Sequence, residues 1–221
     1  MSRYLNELDA NRLLSGYGIP MAKSFLCKDE EDAAKNAAEL GYPVVMKILS
    51  SEILHKTDAG CVFIGVKNEE ELRDAYKRIL ENARAYKADA NIDGILVQEM
   101  AEKGLEMIIG MKLDPQFGPV IMAGSGGIYV EVYKDVTLRL LPIGRPDAEK
   151  MLKEVKIHKV ISGLRGIVYD DEAIIDVLLK VSKLVMENPD IEEIDINPLF
   201  VYEKGRGAKG VDALIKKKDE K

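Results

Sequence analysis

Three segments of the chain repeat apolar residues at the three- and four-residue spacing of an amphipathic helix. The clearest segment begins after Asn68 and another begins after Asp170, and both residues are of a type that caps helix N-termini. The third is alanine-rich and lies between Asp29 and Gly41, a glycine where helices commonly end. The pattern therefore predicts three helices that each bury one apolar face.

Strand-like runs of apolar residues lie between these helices, and turns that contain glycine or proline join several of them. Helices interleaved with hairpins indicate an α+β fold. The predicted strands span residues 22–27, 44–49, 61–66, 94–101, 105–112, 119–124, 128–132, 136–143, 191–202 and 210–215.

The order of these elements predicts two lobes. The smaller lobe covers residues 22–91, and the larger lobe covers residues 92–221. A short helix is predicted within the N-terminal segment, residues 1–21, and we expect this segment to pack back on the larger lobe. The cleft between two lobes is the usual place for a ligand.

Composition excludes several classes of function. The 221 residues carry 32 basic and 38 acidic side chains, and the basic residues form no dense block before Lys216–Lys218. This charge balance does not indicate a basic surface that would bind nucleic acid or an anionic membrane. The N-terminus lacks the apolar core of a signal peptide, and no run approaches the length of a membrane span. The two cysteines, Cys27 and Cys61, have no metal-site spacing, so we expect a cytoplasmic protein.

One stretch, residues 41–66, concentrates candidate chemistry. Lys47 lies within an apolar strand, where a cation is costly unless it faces solvent or an anion. In the following loop, Thr57 and Gly60 flank a turn whose backbone amides are expected to converge on an anion, with Lys56 and His55 as nearby donors. The stretch therefore predicts a phosphate site. The alternative is that Lys47 lies on a solvated strand face.

The run GYPVVMKILSSEILHKTDAG resembles the phosphate-binding region of the β subunits of ADP-forming acyl-CoA synthetases (acetate–CoA ligases). These proteins belong to the ATP-grasp class and are related to the β subunit of succinyl-CoA synthetase. The resemblance extends over nearly the whole chain and implies an ATP-grasp fold with a nucleotide cleft between its lobes. One position departs from the family, which commonly has two glycines where this chain has Gly60 and Cys61.

The resemblance implies a site for the nucleotide at the lobe junction. Residues 97–100 resemble the ATP-grasp hinge, which assigns Glu99 and Met100 to the adenine end, and Glu106 resembles the carboxylate that accepts from the ribose hydroxyls. The alternative is that the two glutamates are exposed strand ends. The glycines of residues 124–127, followed by Glu131, Lys134, Asp135 and Arg139, also match the family.

These glycines fit a plain hairpin turn as well as a phosphate cradle. Arg139 alternates with Leu138 and Leu140, so its side chain is expected to point away from them, into the cleft, and to contact phosphate.

A magnesium site is predicted near the C-terminus. Strand alternation puts Asp195 and Asn197 on one face, opposite two isoleucines, and Asp212 presents another carboxylate. The segments DINPL and VDA resemble the magnesium-binding pair of succinyl-CoA synthetase-like β subunits, which assigns ligand roles to Asn197 and Asp212. Asp195 then either lies behind the metal ligands or has no role in metal binding. The alternative is that all three are surface residues.

His55 resembles the histidine that is transiently phosphorylated in the ADP-forming synthetases. A neutral imidazole is a good nucleophile near neutral pH without an activating base. The alternative is an ordinary loop histidine. If extended, the ten residues 51–60 span at most about 33–36 Å, enough to carry a phosphoryl group between sites.

The resemblance implies a chain that binds Mg²⁺ and ADP or ATP and passes phosphoryl through His55. The overall reaction converts acyl-CoA, ADP and phosphate to acid, ATP and CoA, and a separate CoA-binding α subunit is expected in an α₂β₂ assembly. Two alternatives remain. One is another ATP-grasp carboxylate ligase, and the other is a non-catalytic nucleotide-sensing module of an acetyltransferase.

Overall fold

The computed structural model describes residues 2–50, 52–53, 55–127 and 135–218. The chain forms two compact units, unit 1 with Met1–Met21 and Glu102–Lys221, and unit 2 with Ala22–Ala101. The boundary predicted between residues 91 and 92 must therefore be moved to residues 101 and 102. The reason is that the strand Gly94–Glu99 pairs with two strands of unit 2.

Unit 2 is a four-stranded antiparallel sheet with two helices packed against it. The strand order is β2-β5-β3-β4. Asp29 and Asn68 cap the two helices as predicted, because each side chain accepts a bond from a backbone amide of the first turn. The elements are β2 (Ser24–Cys27), α2 (Glu30–Leu40), β3 (Val44–Leu49), β4 (Val62–Val66), α3 (Glu69–Tyr86) and β5 (Gly94–Glu99).

Unit 1 is built on a seven-stranded sheet in the order β1-β11-β9-β6-β7-β8, with β10 paired to β9. Its first two elements are β1 (Ser2–Tyr4) and α1 (Glu7–Gly16). The later strands are β6 (Leu105–Asp114), β7 (Gly118–Ser125), β8 (Val136–Leu140), β9 (Ile191–Val201), β10 (Ala208–Gly210) and β11 (Ala213–Lys218). The later helices are α4 (Arg145–Glu154), α5 (His158–Ile161) and α6 (Asp171–Glu187).

One face of this sheet carries the core of unit 1. Alternate residues of β6, such as Met107 and Ile109, are fully buried together with Leu14 of α1 and Leu178 of α6. The N-terminal helix therefore belongs to unit 1. The strand predicted over residues 128–132 lies outside the described residues. In the part of the chain that is described, no helix combines the length and the apolar character needed to cross a bilayer.

Asp170 ties several segments of unit 1 together. Its buried carboxylate accepts from the amide of Ala173, as the N-cap of α6, and from the amides of Gly205 and Gly207. A buried carboxylate that accepts several amide bonds holds the connected backbone in place. The segment before α6 and the turn after β9 are therefore fixed to each other.

Candidate functional site

Lys47 is buried in the middle of the sheet of unit 2. Lys47 lies on β3, where it pairs with Val62 of β4 on one side and with Leu96 of β5 on the other. Only 7% of the residue is exposed. The alternative of a solvated strand face is therefore wrong. An ammonium group in this position costs free energy unless an anion or polar acceptors face it.

The loop after Lys47 folds back on itself through its own backbone. The amide of Ala59 donates to the His55 carbonyl at 3.0 Å, that of Gly60 to the Thr57 carbonyl at 3.0 Å, and that of Cys61 to the Lys56 carbonyl at 2.8 Å. The prediction that the turn amides converge on an anion is therefore wrong for residues 59–61. The side chains of His55 and Thr57 are exposed.

His55 lies between a buried residue and a hydrogen-bonded turn. Ile53, two residues earlier, is fully buried in the core of unit 2, and the turn after His55 is held by the three backbone bonds. Asn82 of α3 fastens the end of the turn, since its amide donates to the Gly60 carbonyl at 2.7 Å. The imidazole of His55 is exposed, and the movement expected for residues 51–60 stays a prediction.

The departure from the family at Cys61 has a structural explanation. Gly60 has a φ of +65°, and a Cβ there would meet Asn82 Nδ2 at 2.9 Å, so glycine is required at this position. Cys61 does not share this conformation. Its side chain is fully buried, with Sγ 3.4 Å from the Ala59 carbonyl and 3.7 Å from the Ile79 carbonyl. The second glycine is therefore not needed for a positive φ.

We expect neither cysteine of the folded protein to react with a thiol reagent at pH 8. Burial raises the pKa of the Cys61 thiol, and it raises the pKa of the Cys27 thiol to about 11, which leaves little thiolate. Ellman's reagent should report both thiols after unfolding in guanidinium chloride and fewer than one per chain before it. Rapid reaction of the native protein that disappears in the Cys61→Ala variant would show that the loop opens.

Glu99 forms two hydrogen bonds at the end of β5. Its amide donates to the Lys23 carbonyl at 2.9 Å, and its carboxylate accepts from the Lys23 amide at 2.8 Å. The residue is half-buried, so the alternative of an exposed strand end does not hold for Glu99. Met100, the next residue, is exposed. Both the amide and the carboxylate of Glu99 are therefore bonded to the backbone of Lys23.

Glu106 meets the glycine-rich segment directly. The Gly126 amide donates to the Glu106 carbonyl at 2.8 Å, and a Cβ at Gly127 would lie 2.6 Å from Glu106 Oε2. These two glycines therefore allow the backbone to approach an exposed carboxylate closely. Two of the residues that matched the family, Glu131 and Lys134, lie outside the described residues. Asp135 is buried and accepts from the amides of residues 156 and 157, so its role is structural.

Arg139 is paired with a carboxylate of a neighbouring helix. As predicted, its side chain points away from Leu138 and Leu140, but these leucines are exposed, at 55% and 54%. They line a cavity of about 630 Å³ on the open face of the sheet. Arg139 instead forms an ion pair with Glu154 of α4 and lowers the pKa of that carboxyl. The predicted phosphate contact stays a prediction, and it would compete with this ion pair.

The two predicted magnesium ligands are neighbours in unit 1. The Asn197 amide donates to the Asp212 carbonyl at 3.1 Å, and both residues are exposed. Ile194 and Ile196 are buried, so the predicted alternation of β9 is confirmed.

The electrostatics of these residues suit a hard cation. Burial first, and then the negative charges of Glu193 and Asp212, raise the pKa of Asp195 above its ordinary value. Asp195 Oδ1 is buried and accepts no hydrogen bond within the described residues. Among those residues no cluster of three or more His, Cys, Asp or Glu side chains forms a metal cage. An exposed amide and carboxylate beside further negative charge fit Mg²⁺, which usually takes one or two protein ligands and keeps water and phosphate oxygens.

Comparison with known proteins gives the class of this molecule. The model of the ATP-grasp domain matches residues 1–216, so the fold is that of an ATP-grasp protein. The chain is 50% identical over 211 residues to acetate–CoA ligase [ADP-forming] II subunit beta of Pyrococcus furiosus, covering 95% of this chain and 89% of that protein. It therefore belongs to the β subunits of ADP-forming acetate–CoA ligases, and the resemblance seen in the sequence is confirmed.

Solved structures agree with this assignment. The crystal structure of PH1788 from Pyrococcus horikoshii superposes with a TM-score of 0.94 at 48% identity, over 98% of this chain and 92% of that one. A dinucleotide-forming acetyl-coenzyme A synthetase 1 of Ca. Korarchaeum cryptofilum superposes with a TM-score of 0.86 at 43% identity, over 97% and 93%. That protein was solved with coenzyme A and Mg-AMPPCP, with its phosphohistidine segment pointing towards the nucleotide site.

Proposed function

We propose that this chain is the nucleotide-binding β subunit of an ADP-forming acyl-CoA synthetase that converts acyl-CoA, ADP and phosphate to acid, ATP and CoA. The observation that carries the proposal is the 50% identity to an ADP-forming acetate–CoA ligase β subunit over nearly its whole length. Two features of the site support it, namely the buried cation of Lys47 and the exposed imidazole of His55.

His55 is the phosphoryl carrier in this proposal. In the direction of ATP synthesis, the bond between phosphorus and the imidazole nitrogen breaks as a β-phosphate oxygen of ADP forms the new bond to phosphorus. The imidazole leaves as a neutral ring once it has taken up a proton. In the reverse direction, a ring nitrogen of His55 attacks the γ-phosphorus of ATP and ADP leaves.

Unit 2 provides the positive charge near this step. Lys47 and Lys56 neutralise phosphate charge, and the Thr57 hydroxyl donates to a phosphate oxygen. The buried position of Lys47 supports its role, since an ammonium group held in low dielectric interacts strongly with an anion. The backbone at Glu99 and Met100 faces the adenine edge in this proposal.

Unit 1 provides the remaining nucleotide and metal contacts. The exposed Glu106 carboxylate accepts from the ribose hydroxyls. Asn197 and Asp212 would hold Mg²⁺, which supplies charge neutralisation for the phosphates when it is bound. Their exposure and their direct backbone bond support this pairing.

A CoA-binding α subunit completes the enzyme in this proposal, in an α₂β₂ assembly. The relatives at about half identity are named as β subunits, which implies a second subunit in those proteins. The acyl group and CoA would be bound by that subunit.

The test is to purify the tagged chain from its source cells and to supply acetyl-CoA, ADP, phosphate and Mg²⁺. We expect a CoA-binding chain to copurify and ATP to form, as measured with luciferase, while the isolated β chain forms none. Formation of an amide or a thioester by the isolated chain would indicate a different ATP-grasp ligase. Nucleotide binding without turnover in the presence of an acetyltransferase partner would indicate a sensing module.

A further inference from the structure

The turn of residues 55–61, which we name the His55 turn, ends against one turn of α3. The Asn82 side-chain amide donates to the Gly60 carbonyl at 2.7 Å. Cys61 Sγ is buried and lies 3.7 Å from the carbonyl of Ile79. The last residues of the His55 turn are therefore fixed to the helix by one polar contact and one buried contact.

The two residues that form the polar contact are locally unfavourable choices. Gly60 has a φ of +65°, and a Cβ there would lie 2.9 Å from Asn82 Nδ2. Glycine costs conformational entropy when the chain folds. Asparagine is also a poorer helix former than alanine, which occupies the next position, Ala83. The helix alone therefore gives no reason for asparagine at position 82, whereas the bond to the His55 turn does.

The segment that precedes His55 is tied to the residues that follow α3. Glu52 forms an ion pair with Lys87, the first residue after the helix. The Ser50 hydroxyl donates to the Asn91 carbonyl at 2.6 Å. The chain is therefore anchored on both sides of the imidazole, to α3 and to the segment after it.

The exposed side chains around His55 lie between two buried residues. Ile53 is fully buried and Ala59 is 8% exposed, whereas His55, Thr57 and Asp58 are exposed. On such a short connection, the anchored backbone at either end determines where a side chain points. A shift of about 1 Å in a reacting group lowers a rate by up to about a hundredfold. A contact at the end of the turn is therefore able to affect phosphoryl transfer without touching the imidazole.

We propose that Asn82 is a positioning residue for phosphoryl transfer, and that its bond to the Gly60 carbonyl orients the His55 imidazole for reaction with the nucleotide. The inference rests on the proposed function, which makes His55 the phosphoryl carrier. Asn82 exchanges no proton and forms no covalent bond in this step. It acts through the backbone of the His55 turn, while the ion pair of Glu52 with Lys87 holds the other side.

The first test is Asn82→Asp in the complex of the chain with its copurified partner. An ionised aspartate has nearly the shape of asparagine but cannot donate to the Gly60 carbonyl. We expect the maximal rate constant for labelling of His55 by ATP, in a single turnover, to fall about tenfold or more. The ATP concentration that gives half this rate should stay within about twofold, because Asn82 contacts the turn and not the nucleotide.

Two further variants make this test specific. Asn82→Gln keeps a donor amide on a longer side chain, so it should recover part of the lost rate. Glu81→Gln changes the exposed neighbouring position of α3 and should leave the rate unchanged.

A second measurement follows the His55 turn itself and does not depend on phosphoryl transfer. The backbone bonds of the turn protect the peptide bond after Lys56 from trypsin while the turn is closed. Asn82→Ala removes the bond to Gly60 and introduces a better helix former. Cleavage after Lys56 should therefore become about tenfold faster, while the unfolding midpoint stays within about 3 °C.

The outcomes separate this inference from the proposed function. If Asn82→Asp and Asn82→Ala label His55 within about twofold of the unmodified rate, Asn82 does not position the imidazole and the proposed function stands. If the loss of labelling comes with an equal loss of ATP affinity or with a large fall in the unfolding midpoint, Asn82 acts on folding and the inference is overturned. If the unmodified complex is not labelled at His55, the proposed function fails and this inference fails with it, whatever trypsin shows.

Discussion

His55→Asn is expected to lose all transfer of the γ-phosphate of labelled ATP to the β chain, and ATP formation by the complete enzyme should fall by at least about a thousandfold. Asparagine keeps a polar side chain of similar size in the exposed loop position but has no nucleophilic ring nitrogen. The measurement is brief incubation with labelled ATP and Mg²⁺, separation of the subunits, and a check that the label is labile to acid.

His158→Asn provides a matched control, because the sequence contains two histidines. His158 lies on α5, where its ring contacts the Ser162 hydroxyl, and this substitution should leave labelling unchanged. Label that persists in the His55→Asn chain would refute the carrier role. Label found on the partner alone, with normal turnover by His55→Asn, would place the phosphohistidine in the other subunit.

Asp212→Ala is expected to weaken the binding of MgADP roughly a hundredfold while the fold is kept. Removal of one of the two proposed oxygen ligands would leave Mg²⁺ with a single protein contact. Asp212 is exposed, so the core is not disturbed. Titration calorimetry with ADP in the presence and in the absence of Mg²⁺ measures the effect.

The metal-free titration makes this prediction specific. In EDTA the unmodified chain and Asp212→Ala should bind ADP with the same affinity, because the substitution removes a contact to the metal and not to the nucleotide. Asp74→Ala, at an exposed position on α3 in unit 2, serves as the control. Equal MgADP affinity for all three proteins would exclude Asp212 as a ligand.

Local features of the fold were predictable from sequence because neighbouring residues determine them. Asn68, Asp29 and Asp170 accept amide bonds at helix N-termini, as their positions before the apolar repeats indicated. The alternation that buries Ile194 and leaves Asn197 exposed also follows from strand geometry alone.

Other features depend on contacts between distant segments. Alternation gave the orientation of Arg139 relative to its leucine neighbours, but not which face of the sheet the helices cover. The unit boundary was misplaced because the pairing of β5 with β3 joins segments about 50 residues apart. The internal bonds of the loop at Gly60, and the Asn82 amide that fastens it, likewise had no signal in the local pattern.

The pairing of β1 with β11 has a consequence for synthesis of the protein. Unit 2 is a continuous segment, Ala22–Ala101, so all of its strands have left the ribosome long before the chain is finished. The sheet of unit 1 cannot be completed as early, because β11 lies between β1 and β9 in it. During synthesis β1 therefore stays without its neighbour until β11 emerges, and the Asp212 region is completed only then.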